Sequence, residues 1–341
     1  MDIFGTMVPR RLLAMIKSTI RQPPGKVQNQ DCTILQLPVE VLLLILESLP
    51  LSSQVSVSQT CRPLRTILSH LRNSASYLPR GEFLEFLSCL ARNMPEKWVC
   101  DVCLKLHPVR VQDTWKNPYR SSCPRYHVYQ KTYRLEHFSL DNRHVQLALK
   151  YTRMDNISQK HQRYLKTLLA PHHGTFVADS LKDTPLQRRH SVYPKIVNGR
   201  YLVLSVWRYD KDRQKVSRPR MGSLRVCGHQ IFNDWDDVLR EMAGYRVQDN
   251  PKKVLWTAVG TAFQAEGAEV RKSCPYCLTD FSVQACPERA TVRMWQDLGP
   301  EGSPLNTEWT ENNISVPLKE KEFKIINDKI PGDIRRLYEL E

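Results

Sequence analysis

No stretch of this 341-residue chain is apolar for the ~18–20 residues that a helical bilayer span needs, which argues against a transmembrane protein. Glycine is sparse, 13 residues in all, which excludes a collagen-like chain. Ten cysteines are too few for the disulfide scaffold of a small secreted toxin. No internal repeat recurs at any period of 20–50 residues. The phosphate-cradling GxxxxGK[ST], the dinucleotide GxGxxG, the nucleophile elbow GxSxG and the zinc-protease HExxH are all missing, so nothing argues for catalysis. The start has neither the long apolar stretch nor the small-residue cleavage site of a secretion signal. The expected setting is intracellular, cytoplasmic or nuclear, where paired cysteines point to metal before disulfide.

What is present is ordinary globular usage, 41% hydrophobic and 25% charged, in a chain long enough for two domains with real cores. Its charge is less ordinary. Lys and Arg number 50 against 35 Asp and Glu, and +13 of the net +15 falls between residues 81 and 300. The densest stretch runs from Arg208 to Arg225, with Lys211, Arg213, Lys215, Arg218 and Arg220 between. Such a run is expected as a solvated loop; phosphates of a nucleic acid are the competing partner. Residues 1–30 read as a disordered basic tail closed by Gln22-Pro23-Pro24-Gly25; a mitochondrial presequence has similar chemistry.

The first strong pattern lies between Ile34 and Leu68. Pro38 suits a helix start, and Val39, Val41, Leu42, Leu43, Leu44, Ile45, Leu46 and Leu49 follow, apolar almost all round. One short helix cannot hide every such face in its own small domain, so one face should meet a partner. Leu49-Pro50 breaks it, Ser52 or Ser53 can cap a second helix through Val55 and Val57, and Thr60-Cys61-Arg62-Pro63 starts a third with Leu64 and Leu68. The order and spacing of Leu37-Pro38, Ile45-Leu46, Leu49-Pro50 and Thr60-Cys61-Arg62 resemble the F-box motif. Two positions depart from it: Leu51-Ser52-Ser53 replaces the usual acidic residue, and Leu64 the usual aromatic. The resemblance implies a three-helix module over residues 32–78 that docks the Skp adaptor of a cullin-based SCF ubiquitin ligase. Leu37, Pro38, Val41, Ile45, Leu49, Val57 and Leu64 would make that contact, as aliphatic anchors in a groove.

Beyond it, residues 81–310 mix helix and strand periods without βαβ alternation, which predicts an α+β domain. Helices are expected over Gly81–Met94, Asp141–Tyr151, Ser158–Leu168 and Asn233–Met242. Strands are expected at Tyr129–Leu135, Tyr201–Trp207 and Val254–Phe263, and a partly helical tail over residues 311–341.

Cys100-Asp101-Val102-Cys103 and Cys274-Pro275-Tyr276-Cys277 are two CxxC pairs, a spacing that turns both thiolates toward one ion. The second sits between Glu269–Arg271 and Leu278–Val283, as at a hairpin tip. Cys227-Gly228-His229 lies between the pairs, and His107 follows Cys103 by four residues. A structural zinc site is expected, held by Cys100, Cys103, Cys274 and Cys277; the alternative set is Cys227, His229, Cys274 and Cys277. Cys32, Cys61 and Cys89 read as core, Cys123 and Cys286 as core or surface with a ligand role as the alternative, and His172 and His173 as turn residues. A redox pair is disfavoured, because Val99 separates Trp98 from Cys100. A RING ligase is disfavoured too, because Ile231, Phe232 and Asn233 stand where its next CxxC belongs.

The segments Trp98–Pro108, Cys274–Phe281 and Trp295–Gly299 are similar to ones in little-characterised fungal F-box proteins. That similarity places both CxxC pairs in one domain. The expected function is a non-catalytic adaptor that joins the Skp–cullin core to an unknown protein target. A zinc-stabilised nucleic-acid-binding protein and an F-box protein acting outside a ligase are the alternatives.

Overall fold

The computed structural model describes residues 33–69, 78–117, 120–125, 133–135, 138–177, 186–233, 253–265, 267–312, 325–326 and 329–340. The expected basic tail (1–30) and the helix expected from Asn233 to Met242 lie essentially outside these residues, as does the strand expected at Tyr129 apart from Tyr133–Leu135. The chain divides into two compact units, residues 1–91 and 92–341.

Prolines punctuate the first unit. Pro38 precedes α1 (Val39–Ser48) and Pro50 precedes α2 (Leu51–Ser58), each where a missing N–H costs nothing. Pro63 sits in the first turn of α3 (Arg62–Ile67). Neither Ser52 nor Ser53 caps α2, which starts directly after Pro50; the Ser52 N–H donates to Glu82 Oε2 at 3.0 Å instead. That bond ties α2 to α4 (Arg80–Ala91), a helix expected in the second domain but belonging to the first unit. Helices this short are not stable alone. Leu42, Leu46, Val55, Leu64, Ile67, Leu68, Leu84 and Leu87 supply their buried side chains.

The second unit is α+β, centred on a six-stranded antiparallel sheet. Its strands are β5 (His172–Val177), β6 (Gln187–Val197), β7 (Arg200–Asp210), β10 (Glu269–Ser273), β11 (Thr279–Cys286) and β12 (Arg289–Pro300). Their spatial order is β10-β11-β12-β7-β6-β5, two meanders joined along β7 and β12. The β6–β7 turn is Asn198-Gly199, both at positive φ (49° and 70°), the two-residue loop whose twist matches a hairpin. Between the meanders the chain inserts the ribbon β8 (Leu224–Arg225) with β9 (Ile231–Phe232), then helix α7 (Val254–Gln264). Before the sheet come the ribbons β1 (Lys97–Cys100) with β2 (Lys105–Pro108) and β3 (Tyr133–Leu135) with β4 (Phe138–Leu140), then α5 (Asn142–Arg153) and α6 (Gln159–Leu168). After it come α8 (Thr307–Asn312) and α9 (Asp333–Glu339).

Register and alternation separate the two sheet faces. Tyr201, Val203, Trp207, Phe281, Val283, Val292 and Met294 point into the main core and are at most 1% exposed. The opposite face carries Tyr193, Leu204 and Trp295, over which α9 lies. There Tyr338 Oη donates to the Tyr193 carbonyl at 3.0 Å, and the Arg335 guanidinium sits 5.0 Å from the Trp295 ring centre.

Two expectations are corrected here. Val254–Gln264 is a helix, not a strand: Leu255, Ala258, Val259 and Ala262 make an inward stripe at helical spacing. His172 and His173 belong to edge strand β5, paired with Val192 and Ser191, not to a turn.

Candidate metal centres and docking helix

Cys100 ends β1, and the turn to β2 closes by the Leu104 N–H donating to the Cys100 carbonyl at 3.0 Å. Leu104 takes a positive φ of 53° to make that bend. The bend points the Cys103 N–H at the Cys100 sulfur, 3.4 Å away. His107 lies on β2 opposite Trp98, its ring 5.2 Å from the indole. Cys123 arrives from the following loop, 3.6 Å from Cys100 Sγ and 3.3 Å from Cys103 Sγ. Ser122 pins that loop, accepting from Trp98 Nε1 at 3.2 Å and donating to the Pro108 carbonyl at 2.6 Å. Cys100, Cys103, His107 and Cys123 thus present four ligand atoms within 4.8 Å of one another.

The second cluster joins two elements distant in sequence. Cys274 and Cys277 form the tip of the β10–β11 hairpin, and Cys227 and His229 come from the β8–β9 loop. Bonds from Cys274 N to the Thr279 carbonyl (2.9 Å) and from Tyr276 N to Cys274 Sγ (3.4 Å) shape the tip. The His229 ring rests against Tyr276, centroids 5.5 Å apart. Lys329 caps the turn from outside, donating to the carbonyls of Cys274 (3.3 Å), Cys277 (2.9 Å) and Thr279 (2.8 Å).

Both donor sets fit a metal. Four thiolate or imidazole ligands suit a tetrahedral ion with soft affinity, and ~2.3 Å metal–sulfur bonds would separate sulfurs by about 3.8 Å. The thiol separations in the first cluster lie near that value. His107 Nε2 is buried without a hydrogen-bond partner. Burial, with Lys105 and Lys97 nearby, lowers the pKa of His107, which keeps the ring neutral as a ligand must be. Burial pushes the Cys100 thiol up to about 12, against backbone N–H groups that favour its thiolate. In the second cluster burial raises Cys227 and Cys277. Burial alone would raise Cys274 too, but bonds from Cys227, Cys277 and His229 outweigh it and hold that thiol far below its usual range. A cation would relieve the cost of burying these sulfurs in their charged form.

The four-cysteine set expected from the sequence is therefore divided. Cys100 and Cys103 join His107 and Cys123, while Cys274 and Cys277 join Cys227 and His229. The cause is topological: β1–β2 is a separate ribbon whose own downstream loop completes its cluster, whereas the hairpin tip is met by the insertion between the meanders. His107 carried a spacing signal; Cys123, in Ser-Ser-Cys-Pro, carried none. Cys89, expected in the core, is exposed, and Cys61 is half-buried.

In the first unit α1 turns Leu42 and Leu46 inward and leaves Val41, Leu44 and Ile45 outward at 42%, 68% and 38% exposed. Pro38 is exposed, and Leu37, Leu49 and Val57 are half-buried. Leu64 differs from the other expected contact residues: it is 5% exposed, within the unit's core.

The F-box-like family model matches residues 34–72. That span holds α1, α2 and α3, so the chain carries an F-box-like domain, which supports an F-box protein. No curated protein and no solved structure matches the chain. Among the described residues of the F-box-like domain, three of the four exposed large apolar side chains, Val41, Leu44 and Ile45, lie on α1, and the fourth is Ile34. No helix among the described residues is long and apolar enough to cross a membrane.

Proposed function

We propose that this chain is a non-catalytic adaptor of an SCF-type ubiquitin ligase. Its F-box-like domain docks the Skp adaptor, and its second unit binds a protein target. The observation that carries this reading is the outward row Val41, Leu44 and Ile45 inside the matched span. A water-facing apolar row costs solubility unless a partner covers it, and a helix presenting aliphatic anchors suits a groove. Pro38, Leu37, Leu49 and Val57 border this row and complete the contact. Leu64 supports it from within. The chain does no chemistry in this role; it raises the concentration of target lysines beside a charged ubiquitin carrier.

Both clusters hold structural zinc in this reading. Cys100, Cys103, His107 and Cys123 would hold one ion, and Cys227, His229, Cys274 and Cys277 the other. Zinc supplies a redox-inert crosslink and nothing more.

Co-purification with the Skp adaptor tests the adaptor role. The wild type retains the adaptor, and Leu44→Asp plus Ile45→Asp weakens retention at least about tenfold, since each charge is buried without a partner. Because both side chains already face water, the double variant keeps its helical content. A wild type that does not retain the adaptor would falsify the proposal.

A further inference from the structure

Among the described residues, α9 covers one end of its sheet face, where Leu204 and Trp295 lie. Beyond Leu204 and Trp295, cross-strand pairing sets Arg189 on β6 beside Arg208 on β7, and Arg289 on β12 beside Asp210. All three arginines are exposed. The chain leaves β7 at this end and runs on through Lys211, Arg213 and Lys215, also exposed. Like charges directly opposite in a sheet repel, so a pair such as Arg189 and Arg208 needs counter-charge.

The chain supplies that counter-charge only in part. Asp210 bridges Arg189 and Arg289, the latter at 2.7 Å. Asp212 is held by Arg220 at 3.1 Å and by the Gln214 N–H at 3.0 Å. Both acids of this run are thus engaged, and Glu288, whose carbonyl accepts from the Lys211 N–H at 2.8 Å, makes no ion pair among the described residues. Arg208, Lys211, Arg213 and Lys215 have no ion-pair partner among the described residues. Arg208 stands on the sheet end, and Lys211, Arg213 and Lys215 on the loop that adjoins it.

We propose that this open sheet end docks an acidic segment, rich in Asp and Glu, of a target protein. The inference rests on reading the second unit as target-recognising and names the chemistry of that target. Charge complementarity selects the occupant: four unpaired cations within eight residues, on a loop held at both ends by Lys211 N–H to Glu288 and Val216 N–H to Pro287 (2.8 Å each), offer fast capture to a short run of carboxylates. A nucleic acid fits less well. Single strands are held by exposed aromatic rings, and no Phe, Tyr or Trp is exposed among the described residues. Of the six exposed cations at this end, Arg189 and Arg289 are already held by Asp210, which leaves four for the phosphates of a duplex.

The test uses the full chain and a short fluorescein-labelled peptide of alternating Glu and Ser, read by anisotropy at low salt. The wild type binds. Arg208→Glu plus Lys211→Glu weakens binding about tenfold or more, and Arg208→Gln plus Lys211→Gln weakens it less. The control Arg163→Glu plus Lys166→Glu makes the same charge change on the exposed side of α6 and alters binding less than about twofold. No binding by the wild type, or an equal loss in the control, overturns the proposal. So does a random DNA duplex that binds more tightly than the peptide and is lost in the same variant. Skp-adaptor co-purification of these proteins is the separating measurement: it fails if the adaptor reading is wrong, whatever the peptide does.

Discussion

At the scale of single residues, the most demanding group is Arg143. Its side chain has no exposure, yet it meets Asp113 through Nε at 2.7 Å and Asp141 through Nη1 at 2.6 Å. His144 adds a contact to Asp113 at 3.1 Å, and the guanidinium lies 5.7 Å from the Trp98 ring beside the first cysteine cluster. Removing one partner of a buried pair strands the others, so Arg143→Met destabilises the second unit by about 3–5 kcal/mol in urea unfolding. Burial alone would raise the Asp113 pKa, but bonds from Arg143 and His144 outweigh it and hold the carboxyl below the usual range. A carboxyl with a depressed folded pKa takes up its proton more readily when unfolded. Its stabilisation is therefore complete above about pH 4 and is lost as pH falls through the lower, folded value. Metal release in acid acts over overlapping pH, so the comparison is between proteins. Asp113→Asn shows a shallower acid slope of stability than the wild type, and equal slopes would remove Asp113 from the account. None of this network was legible in the sequence, because Asp113 and Arg143 are ordinary charges until folding places them together.

At the scale of elements, legibility followed how local the signal was. The helix after Asp141, the helix after Ser158 and the β10–β11 hairpin each carry their start, stop and turn within a few residues. Val254–Gln264 failed because a short run apolar on most sides reads equally as strand or helix. The partners of each CxxC pair failed because completion of the clusters depends on which loops the sheet topology brings near. The C-terminal segment shows the same limit: it read as a partly helical tail, and α9 is that helix, yet Lys329 before it is 5% exposed and caps the second cluster's turn. Lys329 also faces Asp280 at 3.6 Å, and Asp280 Oδ2 accepts from the N–H groups of Ile334 (2.9 Å) and Arg335 (3.1 Å). Lys329→Met keeps the aliphatic stem but leaves a buried carboxylate and three carbonyls short of a donor, costing about 3 kcal/mol. Asp280→Asn in the same chain recovers part of that loss. Additive losses in this double-mutant cycle would mean that the pair does not couple the segment to the turn. Hydrogen exchange at Cys274 and Thr279 rises in Lys329→Met, locating the effect at the hairpin tip.

At the scale of the whole molecule, the two units differ in what holds them. Both cysteine clusters lie in the second unit, and no such cluster occurs among the described residues of the first. All seven tryptophans fall after residue 91, so their emission reports the second unit alone. Structural zinc contributes an apparent ~10–16 kcal/mol per site at neutral pH. That equals or exceeds the ~5–15 kcal/mol net stability of a typical domain. A second unit relying on two such ions should therefore lose cooperative folding without them, while the F-box-like helices persist. Elemental analysis of purified protein gives about two zinc per chain, and about one after Cys123→Ser or after Cys277→Ser, since the clusters share no ligand. Chelation red-shifts the tryptophan emission and abolishes acidic-peptide binding, yet leaves Skp-adaptor co-purification intact. Metal content near zero, or tryptophan emission indifferent to chelation, defeats the zinc assignment. Loss of adaptor binding on chelation would instead show that the first unit depends on the second for its fold, contrary to the compact helical core that Leu42, Leu46, Val55 and Leu64 already provide.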